Sequence, residues 1–135
     1  MTVTDPIRIV LVGTQHPGNI GSAARAMKTM GLSNLVLVAP LRYPDPEAVS
    51  LAAGASDVLS KAHVVGSLDE ALDGCRYVLG TTARDRFVSL PEMTPNQAAE
   101  QLHQQSVNGD AAILFGRERT GLENESLMRC HGRIF

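Results

Sequence analysis

Three short loops carry the side chains best suited to chemistry. They span residues 14–19, 81–86 and 116–121, and each follows an apolar run. The first loop is rich in glycine, the second joins hydroxyl groups to two arginines, and the third alternates charges between two glycines. Free backbone N–H groups, hydroxyls and guanidinium groups are the donors that bind anionic or nucleotide ligands. Each loop also has a simpler interpretation as an ordinary turn between a strand and a helix.

The first loop does not match either of the common phosphate-binding motifs. Its segment G-T-Q-H-P-G-N-I-G (13–21) lacks the G-x-G-x-x-G spacing of dinucleotide-binding folds and the Gly-Lys-Ser/Thr of a P-loop. What remains is the start of a helix, where unpaired N–H groups and the helix dipole favour an anion. In the third loop, Glu118 lies between two arginines. It could be a structural carboxylate paired with them or part of a functional site.

The basic residues are concentrated near these loops. Half of the 12 Lys and Arg residues lie in or just after them: Arg25, Lys28, Arg84, Arg86, Arg117 and Arg119. Residues 45–73 instead hold six acids and one base, so the net charge of −2 averages a basic rim against an acidic remainder. A basic rim of this kind positions phosphates. Arg25 lies about 170° from the apolar stripe of its predicted helix, which also fits a solvated surface arginine.

Alternating elements must position the three loops. Apolar runs predict strands at 7–13, 35–39, 62–65, 77–80 and 111–115, with a sixth starting at 133. Helices are predicted at 19–30, with Asn19 as cap, at 47–53, from the capping box at 67–70, from a second box at 94–97 to about 105, and at 124–130. In the first helix the apolar stripe is Ile20, Ala23, Ala24, Met27 and Met30. This order predicts an α/β fold with a mostly parallel sheet and flanking helices, in one domain over residues 1–135. Ligands of such sheets lie beyond the carboxyl ends of the strands.

Composition narrows the class of protein. The chain has 135 residues, 44% of them hydrophobic and 19% charged, which is typical of a folded domain. No apolar run approaches the ~18 residues of a membrane span, and the first residues lack a basic leader. The four histidines show no metal-ligand spacing, so we expect no metal. Two cysteines are too few for a disulfide framework, which favours a cytoplasmic setting.

Two longer motifs resemble a known enzyme family. The segments P-G-N-I-G-S-A-A-R-A-M-K-T-M-G-L (17–32) and I-L-F-G-R-E-R-T-G-L (113–122) resemble the first two motifs of the SpoU/TrmH branch of the SPOUT RNA methyltransferases. L-A-A-G-A-S-D-V (51–58) and G-T-T-A-R (80–84) resemble further segments of enzymes in that branch that act on tRNA. Together these matches extend over most of the chain.

The resemblance implies a SPOUT-type fold, whose C-terminal segment forms a trefoil knot, and a specific reaction. S-adenosylmethionine is the expected methyl donor, and the acceptor is a ribose 2′-hydroxyl of cytidine or uridine in a tRNA anticodon loop. The resemblance also implies a homodimer whose active site takes residues from both subunits. By motif, Asn19, Arg25 and Glu118 are the expected catalytic residues, and the expected cofactor contacts are Thr81, Thr82, Ala83 and Gly116. The six basic residues named above, Arg25 among them, are expected to bind RNA.

The family's third motif follows the strand that starts at residue 133, and it has no counterpart in this sequence. We therefore expect a catalytic domain that is incomplete at its C-terminus and lacks the knot-forming segment. Two alternatives stay open: a non-catalytic RNA-binding or dimerisation module, and an α/β nucleotide-binding domain of another kind.

Overall fold

A single parallel sheet organises the chain. The computed structural model describes residues 5–82 and 90–134. Its strands are β1 (Ile7–Val12), β2 (Asn34–Val38), β3 (His63–Val65), β4 (Cys75–Thr81), β5 (Glu92–Met93), β6 (Asp110–Phe115) and β7 (Gly132–Ile134). All pairings are parallel, in the order β3-β2-β1-β6-β4-β7-β5. The predicted α/β class and parallel sheet are confirmed.

Helices cover both faces of the sheet. They are α1 (Pro17–Thr29), α2 (Pro46–Ala52), α3 (Ser56–Ser60), α4 (Leu68–Ala71), α5 (Pro95–Ser106) and α6 (Asn124–Leu127). On one face α1 to α3 pack over β1 and β2, and α5 packs over β4 and β6. On the other face α4 and α6 pack against the valines of β1, β2 and β4. Because both faces are covered, the strands are nearly continuous apolar runs.

Some element boundaries differ from the sequence predictions. The helix predicted at 47–53 is followed by a 3-10 turn (Ala53–Ala55) and by α3, neither of which was predicted. The two-residue strand β5 was also missed, since it has too few residues to form an apolar pattern. The capping box at Thr94 and Gln97 is confirmed in full, and the Ser67 side chain accepts a hydrogen bond from the Glu70 N–H.

The predicted start of the first helix was wrong. Asn19 is not its cap, because Pro17 occupies the first helical position and His16 is the N-cap residue. Proline suits that position, since it has no N–H to leave unpaired. The predicted apolar stripe holds for Ile20, Ala24 and Met27, but Met30 is 69% exposed, because it lies at the C-cap where the helix ends.

The crossing of α1 and α2 depends on glycine. A Cβ atom on Gly21 would lie 2.2 Å from the backbone oxygen of Ala48, and one on Gly18 would lie 2.7 Å from a methyl of Leu51. Ala48 and Ala52 are fully buried on the facing side of α2. Helices that approach this closely need small residues at the contact, which explains two glycines spaced three residues apart.

The chain leaves the neighbouring strands β1 and β6 toward opposite faces of the sheet. After β1 it enters α1 on one face, and after β6 it enters α6 on the other. In open parallel sheets this divergence forms a crevice beyond the carboxyl ends of the strands, where ligands bind. We call the space bounded by residues 14–19, 81–82 and 116–121 the carboxyl-edge crevice.

His131 fixes the start of β7 through its side chain. Its backbone N–H donates to the Val78 oxygen at 2.7 Å, and its Nδ1 accepts the Val78 N–H at 3.0 Å. The ring also stacks on Tyr77, with centroids 5.3 Å apart. The imidazole thus takes the place that a strand carbonyl would fill, and its proton is on Nε2.

We expect His131→Ala to lower the free energy of unfolding by about 1–2 kcal/mol, because the Val78 N–H loses its acceptor. Amide hydrogen exchange should show faster exchange at Val78. His103→Ala is the matched control, since His103 is exposed on α5. Equal stability of the two variants would contradict this role for the ring.

Candidate active site

Glu118 joins the first and third loops. One of its carboxylate oxygens accepts the Gln15 N–H at 3.0 Å, and the other accepts the His16 N–H at 2.9 Å and the Asn19 side-chain amide at 2.8 Å. The predicted catalytic residues Asn19 and Glu118 are therefore in direct contact, although 99 residues separate them. The anion predicted at the start of α1 is supplied by the protein itself.

The pKa of Glu118 reflects this arrangement. Partial burial alone would raise the pKa, but hydrogen bonds from the N–H groups of Gln15 and His16 and from the Asn19 amide outweigh it. Together they lower the pKa from 4.5 to about 2. Glu118 is therefore a stable carboxylate at neutral pH. It is poorly suited to act as a proton acceptor and well suited to hold the two loops together.

This lowered pKa predicts an acid-dependent loss of stability. A carboxylate with a folded pKa of about 2 and an unfolded pKa near 4.5 stabilises the fold above about pH 4.5, and this contribution disappears as the pH falls toward 2. We expect wild type to lose about 1–2 kcal/mol more than Glu118→Gln between these limits, allowing for solvent screening. Urea denaturation at several pH values measures the difference, and parallel curves for the two proteins would contradict it.

The third loop folds back on itself tightly. Arg117 and Gly121 form an antiparallel bridge, with the Gly121 N–H donating to the Arg117 oxygen at 2.8 Å. A Cβ on Gly116 would lie 2.1 Å from the backbone carbon of Gly121, so only glycine fits there. The loop therefore presents Glu118 to the first loop with little freedom. Gly116 has a packing reason to be glycine, in addition to its predicted contact with a cofactor.

The second loop begins beside the third. The Thr81 hydroxyl donates to the Leu114 oxygen at 2.9 Å, which ties the end of β4 to β6. The Thr82 N–H donates to the Ile134 oxygen at 3.2 Å, which ties the loop to β7.

Gly80 is closely packed, since a Cβ there would lie 3.0 Å from Cys130 Sγ. Burial raises the pKa of that thiol to about 12, despite the opposing charge of Arg129, so Cys130 serves packing.

The structure brings some of the predicted site residues together and separates others. Asn19, Glu118, Gly116, Arg117 and Thr81 border the carboxyl-edge crevice, and Thr82 and Arg119 lie on the same loops. Arg25 is exposed and lies six residues after Asn19, about 9 Å further along the axis of α1. Lys28 is further still and forms an ion pair with Asp57 at 2.6 Å. Ala83, Arg84 and Arg86 lie outside the described residues.

Two contributors to the site were missed by reasoning from the sequence. A Cβ on Gly13 would lie 2.8 Å from Nε of Arg117, so Gly13 leaves room for that side chain. Gly21 sets the position of α1 through its contact with α2. The spacing of Gly21 and Gly18, which lies just before the predicted helix, was the available signal for a close helix crossing.

Other surfaces do not coincide with this crevice. A cavity of about 760 Å³ lies at the opposite edge of the sheet, beside the ion pair of Arg8 and Asp110, whose side-chain atoms are 2.9 Å apart. An apolar groove of about 220 Å³ runs between α1 and the sheet.

Within residues 5–82 and 90–134, no group of three or more metal-ligating side chains could hold a metal ion. None of the helices described is long and apolar enough to cross a membrane.

The sequence and fold together place the chain in a known class. The model of the SpoU rRNA methylase family matches residues 6–135, and the chain belongs to this family. Among curated relatives, it is 57% identical over 125 residues to the tRNA (cytidine/uridine-2′-O-)-methyltransferase TrmJ of Photorhabdus laumondii, and 56% identical over 128 residues to TrmJ of Escherichia coli K12. These matches cover 93% and 95% of the chain and 52% of each relative, so the chain spans about half their length.

Solved structures agree with this membership. A probable methylase family protein from Haemophilus influenzae is 48% identical, with a TM-score of 0.90, over 98% of this chain and 55% of that one. TrmJ from Z. mobilis is 44% identical, with a TM-score of 0.89, over 98% of this chain and 58% of that one. These structural matches confirm the predicted SPOUT-type α/β fold.

Proposed function

We propose that this protein transfers a methyl group from S-adenosylmethionine to the ribose 2′-hydroxyl of a cytidine or uridine in a tRNA anticodon loop. The observation that carries the proposal is the contact of Asn19 with Glu118, which joins the first two family motifs at the carboxyl-edge crevice. The activity for which the TrmJ relatives are named supports the tRNA ribose as acceptor. With a tRNA substrate, the expected location is the cytoplasm.

The residues at the ends of β4 and β6 fit a cofactor of this kind. Thr81, Thr82 and Gly116 offer hydroxyl and backbone groups at the ends of these two strands. Bound there, S-adenosylmethionine would supply an electrophilic methyl group. The chain's own contribution is to fix these groups, because the Thr81 hydroxyl and the tight third loop hold the ends of β4 and β6 together. Ala83 is proposed as a further contact.

Arg25 is proposed to bind the target phosphate and to stabilise the charge that develops on the 2′-oxygen. A guanidinium is a poor general base, because it stays protonated throughout the physiological pH range. Proton loss to phosphate or water is the simpler route. Since Arg25 lies about 9 Å along α1 from Asn19, we propose that it serves the site of a second subunit.

The basic rim is proposed to contact the tRNA. Arg117 and Arg119 stand on the third loop beside the crevice, and both are exposed. Arg84 and Arg86 are included on the basis of the sequence. Lys28 would contribute less, because its ammonium group is already paired with Asp57.

A homodimer is supported by the apolar groove beside α1. Ala23, Ala26, Met30 and Phe115 line this groove, and Met30 and Phe115 are 69% and 38% exposed. Exposed apolar surface of this kind marks an interaction site. The groove starts next to the third loop, so a second copy seated there would bring its own residues close to the crevice.

Calorimetric titration tests the cofactor directly. We expect S-adenosylmethionine to bind, and ATP and NAD to give no heat. Binding of ATP or NAD alone would favour a nucleotide-binding domain of another kind. If tRNA binds but S-adenosylmethionine does not, the result would favour a non-catalytic RNA-binding module. Either result contradicts the proposal.

A further inference from the structure

A second cavity lies beside the carboxyl-edge crevice, at the ends of β1 and β2. Its volume is about 120 Å³. Val12, Val38 and Leu122 form an apolar floor, in which Val38 and Leu122 are 5% and 1% exposed. Arg117, Glu123 and Ser126 supply the polar groups around it. An apolar floor with a few polar groups is the usual composition of a small-ligand site.

The walls of this cavity are kept small at two positions. Gly13 has a φ of +66°, and a side chain there would collide with Arg117. Ala39 has a φ of +44°, a left-handed conformation that is uncommon for a residue other than glycine. Such backbone strain costs free energy and is concentrated at functional sites. Ala39 is itself part of the lining of this cavity.

The polar groups match the edge of a pyrimidine base. Cytosine and uracil share the O2 acceptor, which suits the Arg117 guanidinium. They differ at position 4, where cytosine carries an amino donor and uracil an oxygen acceptor. The Ser126 hydroxyl both donates and accepts, so it can serve either base, and Glu123 accepts only. The cavity is small, about 120 Å³, which favours a single-ring base over a two-ring base.

The position is compatible with methyl transfer. The proposed cofactor contacts lie at the ends of β4 and β6, and β6 separates β4 from β1. Neighbouring strands lie about 4.8 Å apart, so the cavity and the cofactor side are on the order of 10 Å from each other. A single nucleoside spans that distance, with its ribose between its base and the methyl donor.

We propose that this cavity receives the pyrimidine base of the nucleotide to be methylated, and that Arg117 and Ser126 read it. This inference rests on the proposed function, since it names the base attached to the acceptor ribose. A pocket whose hydroxyl serves both pyrimidines would accept cytidine and uridine alike and exclude purines.

Nuclear magnetic resonance titration with free nucleosides tests the cavity without requiring activity. We expect cytidine and uridine to shift the amide signals of Gly13, Gly121 and Ser126, with millimolar affinity, and adenosine to leave them unchanged. Arg117→Ala should weaken pyrimidine binding about tenfold, and Ser126→Ala several-fold for both bases. Arg76→Ala is the matched control, because Arg76 is exposed near the amino end of β4, and it should have no effect.

The outcomes separate this inference from the proposed function. If adenosine binds as well as cytidine, or the shifts lie away from these amides, the pocket assignment is overturned. If S-adenosylmethionine binds while the nucleosides show no preference, the pocket fails and the proposed function stands. If the pyrimidines bind as described but S-adenosylmethionine does not, the pocket is supported and the proposed methyl transfer fails.

Discussion

Replacing Gly21 by Ala should lower the free energy of unfolding by about 2–3 kcal/mol, which is the scale of overpacking a close contact. The added methyl would lie 2.2 Å from the Ala48 oxygen and 2.9 Å from the Ala52 nitrogen. Both are backbone atoms, so no side chain can turn away to make room. The α1 and α2 helices would have to separate, and α1 carries Asn19 and Arg25. Urea denaturation measures the change.

Gly54→Ala is the control for this experiment. Gly54 is exposed, has an ordinary φ, and a Cβ there would meet nothing within 4 Å. Its free energy of unfolding should change by less than about 0.5 kcal/mol or rise slightly. If both glycine variants were equally stable, the close crossing of α1 and α2 would be contradicted.

Replacing Glu118 by Ala should reduce methyl transfer about 100-fold, which is the scale of misplacing reacting groups by about 1 Å. The substitution removes all three hydrogen bonds between the first and third loops. The folded structure should persist, because the freed N–H groups are near the surface and can bind water. The loss should therefore appear in the transfer rate, measured under saturating cofactor, with an unchanged circular dichroism spectrum.

Glu100→Ala provides the same change of charge at an exposed position on α5, away from the crevice. It should retain full activity. Full activity in Glu118→Ala as well would show that the contact between the two loops is not needed for the reaction.

The sequence predicted the parts of this fold that depend on local patterns. Buried strands appear as unbroken apolar runs, and the box at Thr94 and Gln97 is a hydrogen-bond pattern contained within four residues. The loops after β1, β4 and β6 could be assigned to one edge, because the carboxyl ends of parallel strands share an edge. The family resemblance then assigned catalytic roles to both Asn19 and Glu118, but it did not predict that they are in contact.

What the sequence could not supply was the geometry between distant residues. The bond from Val78 to the His131 ring joins two elements 53 residues apart, and nothing in the residues around His131 indicates it. The start of α1 was misplaced because Asn19 resembles a cap, whereas its amide is used by Glu118. The spacing of Asn19 and Arg25 already implied that they are separated along the helix. That Arg25 therefore lies away from the site became clear only when the structure placed Glu118 beside Asn19.

The central claim is tested most directly by incubating the protein with isotopically labelled S-adenosylmethionine and unmodified tRNA, and locating the label by mass spectrometry of nuclease fragments. We predict one labelled methyl group on the ribose of a cytidine or uridine in the anticodon loop, formed about 100-fold more slowly by the Glu118→Ala variant. Label on a base, label outside the tRNA, or no transfer by the wild-type protein would contradict the account.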